Sequence, residues 1–489
     1  MKKILVANRG EIALRVMRTA RKMGIQTVAV YSEADRAALH VRYADEAVCI
    51  GGAASKDSYL RGDKIVEVAR QLGADGIHPG YGFLSENAGF AKLVQDNGIT
   101  FIGPRPEAIE MMGSKLAAKE AAKRFNIPMV PGVEHSITEV EEARQIAKEV
   151  GYPILIKASA GGGGKGMRVV EHEAELAEQM ERAISEARSS FGDGSVFIEK
   201  FVTSPRHIEI QVLADSHSNI VHLFERECSI QRRHQKVVEE APSATVDADL
   251  RRRMGEAAVL VAKSCNYLGA GTVEFLVDEH RNFYFLEMNT RLQVEHPVTE
   301  WITGLDLVEQ QIRIARGEKL SFKQEDLKIN GHSIELRVTA EDPLDNFLPN
   351  VGKLTTYQIP IGENIRVDDG YEQGMEVPIY YDPLLSKLIV WGVNRNAAIR
   401  RMLDAINHYE IKGVATTLPF GKFVMEHEAF TSGNFDTNFV KQYFTPELLK
   451  EKEKTEAAIA AQVAVEMYLQ YKKLLKVPEP RSLAWKTLR

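Results

Sequence analysis

The chain has 489 residues, 44% of them hydrophobic and 27% charged, enough for two to four domains with substantial cores. Its formal net charge of −6 argues against a general polyanion binder, and its three cysteines, Cys49, Cys228 and Cys265, fall in no metal-ligand spacing and suit a reducing cytoplasm. No apolar run approaches the roughly 20 residues that cross a membrane, and the stretch Ile4–Ala7 is too short for an export signal, so neither nucleic acid nor membrane is an expected partner.

From residue 1 to about 114, short β-branched runs alternate with amphipathic helices: Ile4–Ala7, a helix over Glu11–Met23, Val28–Tyr31, Val48–Ile50, a helix over Asp63–Leu72, then Ile77 and Phe101–Ile102. That rhythm predicts a parallel sheet covered by helices. The first turn, Ala7-Asn8-Arg9-Gly10-Glu11, lacks the GxGxxG spacing that brings backbone against a pyrophosphate, so no dinucleotide is expected there. A second domain runs over 115–329. Within it, about 130–203 reads as a lid: a helix over Glu139–Val150, the strand Pro153–Lys157, a glycine loop, a helix over Ala174–Ser189 and the strand Val196–Phe201. Strands Glu209–Leu213, Val221–Glu227, Gly271–Val277 and Asn282–Met288 form a floor beneath it. Over 330–445 the short strands Ser333–Ala340, Thr355–Ile359, Ile365–Asp368 and Leu385–Trp391 precede a helix over Arg395–Tyr409, which predicts an α+β cap. The tail, 446–489, carries the charge run Glu451–Lys454 and then a helix over Glu456–Lys473 with alanines and valines on nearly all faces, broken by Pro478 and Pro480. This helix either packs back on the body or docks a partner, and periodicity does not separate the two.

Four stretches carry chemistry. The loop Gly161-Gly162-Gly163-Gly164-Lys165-Gly166-Met167 follows a strand, and backbone free of side chains lies close to phosphate oxygens, although the same loop serves as a flexible turn. It is not a Walker A loop, because Gly166 stands where Ser or Thr would follow the lysine. In the predicted hairpin 272–289, Glu274 faces Glu287 directly, with Asn289 on the same face. Two opposed carboxylates need a cation, a basic neighbour or a proton, and with the amide they form a hard-oxygen set that suits magnesium on nucleotide phosphates. After it, Arg291-Leu292-Gln293-Val294-Glu295 offers a planar guanidinium for a small carboxylate-like anion and a carboxylate as general base. The cluster Gln231–Lys236 reads as an anion pocket or as a solvated charged strand.

These stretches, together with His78-Pro79-Gly80-Tyr81-Gly82-Phe83-Leu84-Ser85-Glu86-Asn87, resemble the biotin carboxylase component of biotin-dependent carboxylases from residue 1 to about 445. The resemblance implies an α/β and α+β multidomain fold: a Rossmann-like pre-ATP-grasp domain, an ATP-grasp domain with a mobile lid, and a C-terminal carboxylase domain. It implies Lys115 and Lys157 on the ATP phosphates, Gly163, Gly164 and Met167 in the closing loop, and Glu199, Lys200, Phe201 and Val202 along the adenine edge with His207, Gln231, His234 and Leu276. Glu274, Glu287 and Asn289 would hold magnesium or manganese; Lys236, Arg291, Gln293 and Val294 would bind bicarbonate; Glu295 would deprotonate it; Arg337 would face biotin with Tyr81. Val202 replaces a leucine of some members and Ala160 a glycine; neither change touches the four-glycine core.

The implied reaction activates bicarbonate with ATP, through carboxyphosphate, and carboxylates biotin. The chain contains no carrier lysine motif, since Gly374-Met375-Glu376-Val377 has none at the required place. A separate biotin carboxyl carrier protein is therefore expected, and the resemblance implies a carboxyltransferase subunit and a second copy of the chain as further partners. Another ATP-grasp ligase would share the lysines and the metal set but lack the Arg291–Glu295 arrangement and Arg337; an ATP-sensing subunit would bind without turnover. The acyl-CoA or pyruvate that finally receives the carboxyl group is not encoded in these residues.

Overall fold

The computed structural model describes residues 1–133, 135–158, 167–191 and 194–474. Its first unit follows the expected alternation. Strands β1 (Lys3–Val6), β2 (Gln26–Ser32), β3 (Glu46–Gly51), β4 (Gly76–His78) and β5 (Thr100–Phe101) form a parallel sheet in the order β3-β2-β1-β4-β5, with α1 (Gly10–Lys22) crossing from β1 to β2. The buried face of α1 (Ile12, Val16, Met17) packs with Ile4 and Val6, and that core continues into Leu213, Val221, Leu307 and Ile312 of the following domain. The first unit is thus welded to the second by shared apolar burial, the main favourable term in such packing.

The lid region has a core of its own. Helix α2 (Val140–Val150), strands β6 (Ile154–Ala158) and β7 (Met167–Val170), helix α3 (Leu176–Phe191) and strand β8 (Val196–Lys200) build a three-stranded antiparallel sheet, β7-β6-β8, under two helices. Ile146, Ile154, Ile156, Met180, Val196 and Ile198 pack among themselves.

The largest sheet corrects the expected plan. Strands β9 (Arg206–Ala214), β10 (Ile220–Arg232), β11 (Gln235–Ala241), β12 (Gly269–Val277), β13 (Phe283–Asn289), β14 (His332–Thr339), β15 (Ile365–Asp369) and β16 (Leu384–Gly392) make one antiparallel sheet in the order β13-β12-β9-β10-β11-β14-β16-β15. The residues read as a separate α+β cap after 330 therefore extend the floor, because β11 offers an edge that β14 pairs from Val238↔Leu336 to Ala241↔Ser333. Helix α4 (Ala248–Ser264) covers one part of the sheet, α5 (His296–Thr303) crosses the site, and α6 (Arg395–Asn407) packs on β14 and β16. Pro297 in the first turn allows α5 to start directly after Glu295.

The tail is one continuous helix, α7 (Pro446–Leu474), starting ten residues earlier than expected. Leu449 is buried and Lys452 pairs with Glu426, but from residue 457 to 474 every residue is exposed. Among the described residues no helix is long and apolar enough to cross a membrane.

Candidate functional site

The site grows from a pattern in β9: His207, Glu209 and Gln211 alternate with Ile208, Ile210 and Val212, so a polar row lines one face of a buried strand. Register carries the row sideways. Glu209 stands opposite Glu274 of β12 and Arg226 of β10, and Glu274 stands opposite Glu287 of β13, as the hairpin reading expected. Glu209 and Glu274 are almost wholly buried, whereas Glu287 is exposed.

Two cations compensate the buried carboxylates. Lys236 Nζ donates to Glu209 Oε2 at 2.6 Å, Glu274 Oε1 at 3.0 Å and Glu295 Oε1 at 2.7 Å. Arg226, fully buried, donates to Glu209 and also to Gln211 (2.7 Å), Thr299 and Thr272 (both 3.0 Å) and Gln293 (2.5 Å). Burial alone would push the Glu295 carboxyl up, but Lys236, Arg337 and Arg226 outweigh it and hold it well below the usual carboxylate range. The same carboxylates keep Lys236 charged against burial.

Glu274 is also the hub for the presumptive metal set. Asn289 Nδ2 donates to Glu274 Oε1 at 2.8 Å, Gln293 Nε2 to the same oxygen at 2.7 Å, and His207 Nε2 lies 2.7 Å from Oε2. Glu274, Glu287 and the Asn289 amide oxygen are hard donors running from the buried row out to the exposed Glu287, a chemistry that fits magnesium or manganese. His207, Glu209 and Glu274 also lie close enough together to share an ion, but Lys236 and Arg226 already neutralise that deeper face.

Arg291 reaches the same hub from the other side: Nη2 donates to Asn289 Oδ1 at 3.0 Å and Nε to Glu86 Oε2 at 2.9 Å. On the far side of Glu295, Arg337 Nη2 donates to Oε2 at 3.0 Å while its Nε donates to Glu239 Oε1 at 2.6 Å. Lys387, paired in register with Arg337, donates to the Val294 carbonyl at 2.9 Å and lies 6.0 Å from the centre of the Tyr81 ring. The Tyr81 hydroxyl donates to Glu11 of the Asn8-Arg9-Gly10-Glu11 turn. Gly80 beside it has φ +64°, and a Cβ there would lie 2.9 Å from Asn8 Nδ2, which itself donates to the Pro79 and Tyr81 carbonyls at 2.7 Å. This tight turn carries Tyr81 to Lys387, on the strand next to that of Arg337.

A separate cleft lies between lid and floor, lined by Lys157, Glu199, Lys200, Phe201, Val202 and Leu276 together with Lys119, Leu155 and Phe285. Glu199 accepts from both Lys157 and Lys119, and these two ammonium groups overcome burial to keep its carboxyl below the usual range. Gln231 Nε2 lies 3.0 Å from His207 Nδ1, which ties Gln231 to the floor. Gly163, Gly164 and Lys165 lie outside the described residues, as does the side chain of Lys115; Met167 opens β7.

The basic cluster divides rather than forming one anion pocket. Arg232 pairs with Glu341, Arg233 and His234 sit at the exposed turn between β10 and β11 with left-handed backbone, and Lys236 alone enters the row. Glu225 and Glu227, just upstream, are likewise internal, held by Arg251 and Arg206. Glu209, Lys119, Lys387, Glu239 and Glu335 escaped the sequence reading. The polar alternation of β9 was the available signal for Glu209; the others depend on contacts between elements far apart in the chain.

Glu239 and Glu335 face each other across β11 and β14, both fully buried. Burial raises both carboxyls, Glu239 to about 7 despite Arg337, and Glu335 well above its ordinary value. Glu335 carries the proton of the pair, because Arg337 donates to Glu239 and stabilises its charge.

Comparisons with known proteins agree with this architecture. Residues 1–109 match the model of the biotin carboxylase N-terminal domain, 114–323 that of the carbamoyl-phosphate synthase L chain ATP-binding domain, and 335–442 that of the biotin carboxylase C-terminal domain. Biotin carboxylase 1 of Bacillus subtilis is 52% identical over 444 residues, 91% of this chain and 99% of the relative. The mitochondrial propionyl-CoA carboxylase alpha chain of Homo sapiens is 51% identical over 474 residues, 96% of this chain but 65% of the relative. The crystal structure of the biotin carboxylase–β,γ-ATP complex of Campylobacter jejuni superposes with a TM-score of 0.85 at 49% identity, covering 90% of this chain and 99% of that one. Homologous along nine-tenths of its length and alike in fold, the chain belongs to the biotin carboxylase family of ATP-dependent ligases.

Proposed function

We propose that this chain catalyses the first half-reaction of an acyl-CoA or pyruvate carboxylase: ATP-dependent carboxylation, by bicarbonate, of biotin held on a separate carrier protein. The observation that supports it most is the placement of Glu295 between Lys236 and Arg337, one cation on each carboxylate oxygen. In this reading Lys236, Arg291, Gln293 and Val294 receive bicarbonate and Arg337 and Tyr81 receive biotin, so the base lies where the two substrates meet.

Glu295 as held here is a weak base. An incoming bicarbonate competes for Lys236 and draws its charge away, which raises the proton affinity of Glu295 when the proton is to be taken. The bicarbonate oxygen then attacks the γ-phosphorus of ATP; ADP leaves and carboxyphosphate forms. Lys115, Lys157 and the 163–164 glycines steady the phosphates, while Glu199 to Val202 and Leu276, with His207, Gln231 and His234, form the adenine side. Glu274, Glu287 and Asn289 would hold magnesium or manganese, which when bound neutralises phosphate charge. Closure of the lid keeps water from the mixed anhydride. Carbon dioxide released beside biotin meets the ureido nitrogen, whose proton passes to the departing phosphate, and Arg337 stabilises the charge on the ureido oxygen.

The free, mostly buried thiols suit a cytoplasmic setting, and a homodimer suits a family in which a dimeric biotin carboxylase domain has been crystallised. The test is ADP formation by the purified chain with MgATP, bicarbonate and high free biotin, each omitted in turn. Turnover that needs both bicarbonate and biotin is expected; turnover indifferent to biotin would assign the chain to another ligase reaction.

A further inference from the structure

Lys387 is a cation sealed beneath the site. Its side chain on β16 is 0% exposed, and register sets it opposite Arg337 of β14 on one side and Asp368 of β15 on the other. Two cations directly opposite each other on one face repel unless their heads are drawn apart. Here they are drawn apart: Arg337 turns to Glu239 and Glu295, and Lys387 turns to Glu11 of the first domain. The Lys387 ammonium donates to the Val294 carbonyl at 2.9 Å and lies 3.3 Å from Glu11 Oε2 and 3.8 Å from Asp368 Oδ2.

Each of these three contacts lies on a different piece of the chain. Asp368 is already held without the lysine, because Arg366 donates to both of its oxygens, at 2.9 and 2.6 Å. Glu11 depends on it: one oxygen accepts from the Tyr81 hydroxyl, Oε2 accepts no hydrogen bond, and burial lifts the carboxyl to about 7 even with Lys387 beside it. At Val294, a carbonyl held at 2.9 Å fixes the plane of the peptide that joins this residue to Glu295, and with it the direction in which the base leaves the backbone. One ammonium thus ties the base loop to the turn that carries Tyr81, with Glu11 as the link between them. Stability alone does not call for a lysine here, since apolar groups of similar volume replace buried ion pairs at little or no cost.

We infer that Lys387 is a positioning residue for carboxyl transfer: through the Val294 carbonyl, and through Glu11 to Tyr81, it holds the base loop and the biotin face at a fixed separation. This deepens the proposed function and rests on it. Carboxyphosphate that forms beside a misplaced acceptor still breaks down to carbon dioxide and phosphate, but the carbon dioxide escapes before the ureido nitrogen captures it. Losing the tie therefore uncouples ATP use from carboxylation.

The test compares the unmodified chain with Lys387→Met and with the double variant Glu11→Gln, Lys387→Met, which removes the carboxylate that the single change strands. Each receives MgATP, radiolabelled bicarbonate and free biotin, and ADP and alkali-trapped carboxybiotin are counted in the same samples. The ratio of ADP to carboxybiotin should rise by about five-fold or more in both variants. A folding defect lowers both products together, so a ratio equal to that of the unmodified chain, at whatever rate, overturns the inference. Tyr81→Phe cuts the same tie at its partly exposed end, outside the buried core, and should raise the ratio in the same direction; an unchanged ratio there overturns the inference as well. An unmodified chain that forms no carboxybiotin would instead overturn the carboxylase reading itself.

Discussion

The large sheet and the tail helix invert the usual distribution of side chains in opposite directions. On the sheet, Glu209, Glu274, Glu295, Arg226, Arg337 and Lys387 are taken out of water; on α7, Ile459, Val463, Met467, Tyr468 and Leu469 are left in it. Buried charge persists only where each group is paired, and the sheet meets that demand with two to five partners per cation. Exposed apolar surface has no such internal remedy. The sheet is therefore complete within the chain, whereas the described part of α7 keeps its apolar side chains in water.

The strongest way to break this contrast is at the base. Glu295→Gln keeps shape and removes the proton acceptor; biotin-dependent ADP formation should fall by about 10²–10⁴-fold with nucleotide binding retained, as read by steady-state turnover and by nucleotide titration. Full activity would end the assignment. Next comes Arg226→Met, which strands the buried Glu209 with Lys236 alone: denaturant unfolding should show a loss of about 3–5 kcal/mol. An unaltered midpoint would mean that the row is not the internally balanced unit described.

Acid probes the buried body as well. Burial lowers His40 and His78 from 6.5 to about 4, so each remains neutral in the folded state while the unfolded chain takes up the proton. Their contribution is fully present above pH 6.5 and is lost as pH falls toward 4, on the order of 3 kcal/mol apiece, measurable as stability against pH. Glu335→Gln should change stability little below the ordinary glutamate value of 4.5 and raise it at neutral pH, because the folded wild type keeps a proton that its unfolded chain has released. The loss in the wild type is complete once pH has risen through the raised Glu335 value, and stability against pH for both forms reads it. The smallest effect is expected at the other pole: ending the chain after Lys452 should move the melting temperature of the body by less than about 2 °C, whereas a large drop would mean that α7 stabilises its own chain.

Much of this was legible in the chain itself. The β-branched runs and amphipathic helices of residues 1–114 specify a parallel sheet through local periodicity, and the hairpin 269–289 carries its register in its own turn, so Glu274 opposite Glu287 could be read directly. Local composition also marked the tail, although the helix begins at Pro446 rather than after the charge run. Lys387, Glu239 and Glu335 could not be found in this way, because each looks like an ordinary charged strand residue until β11, β14 and β16 lie side by side. The basic run Gln231–Lys236 left two readings open for the same reason: four positions separate Arg232, bound to Glu341, from Lys236, bound to three glutamates.

By itself, then, the sequence determined most of the elements and the family, since periodicity and contiguous motifs are properties of neighbours along the chain. Only the tertiary structure decided which charge neutralises which, that the residues after 330 extend the floor sheet, and that α7 leaves the body uncovered. Those outcomes depend on strand order and burial, and pairing energies inside a low-dielectric sheet are fixed by neighbours in space that lie up to a hundred residues apart in sequence.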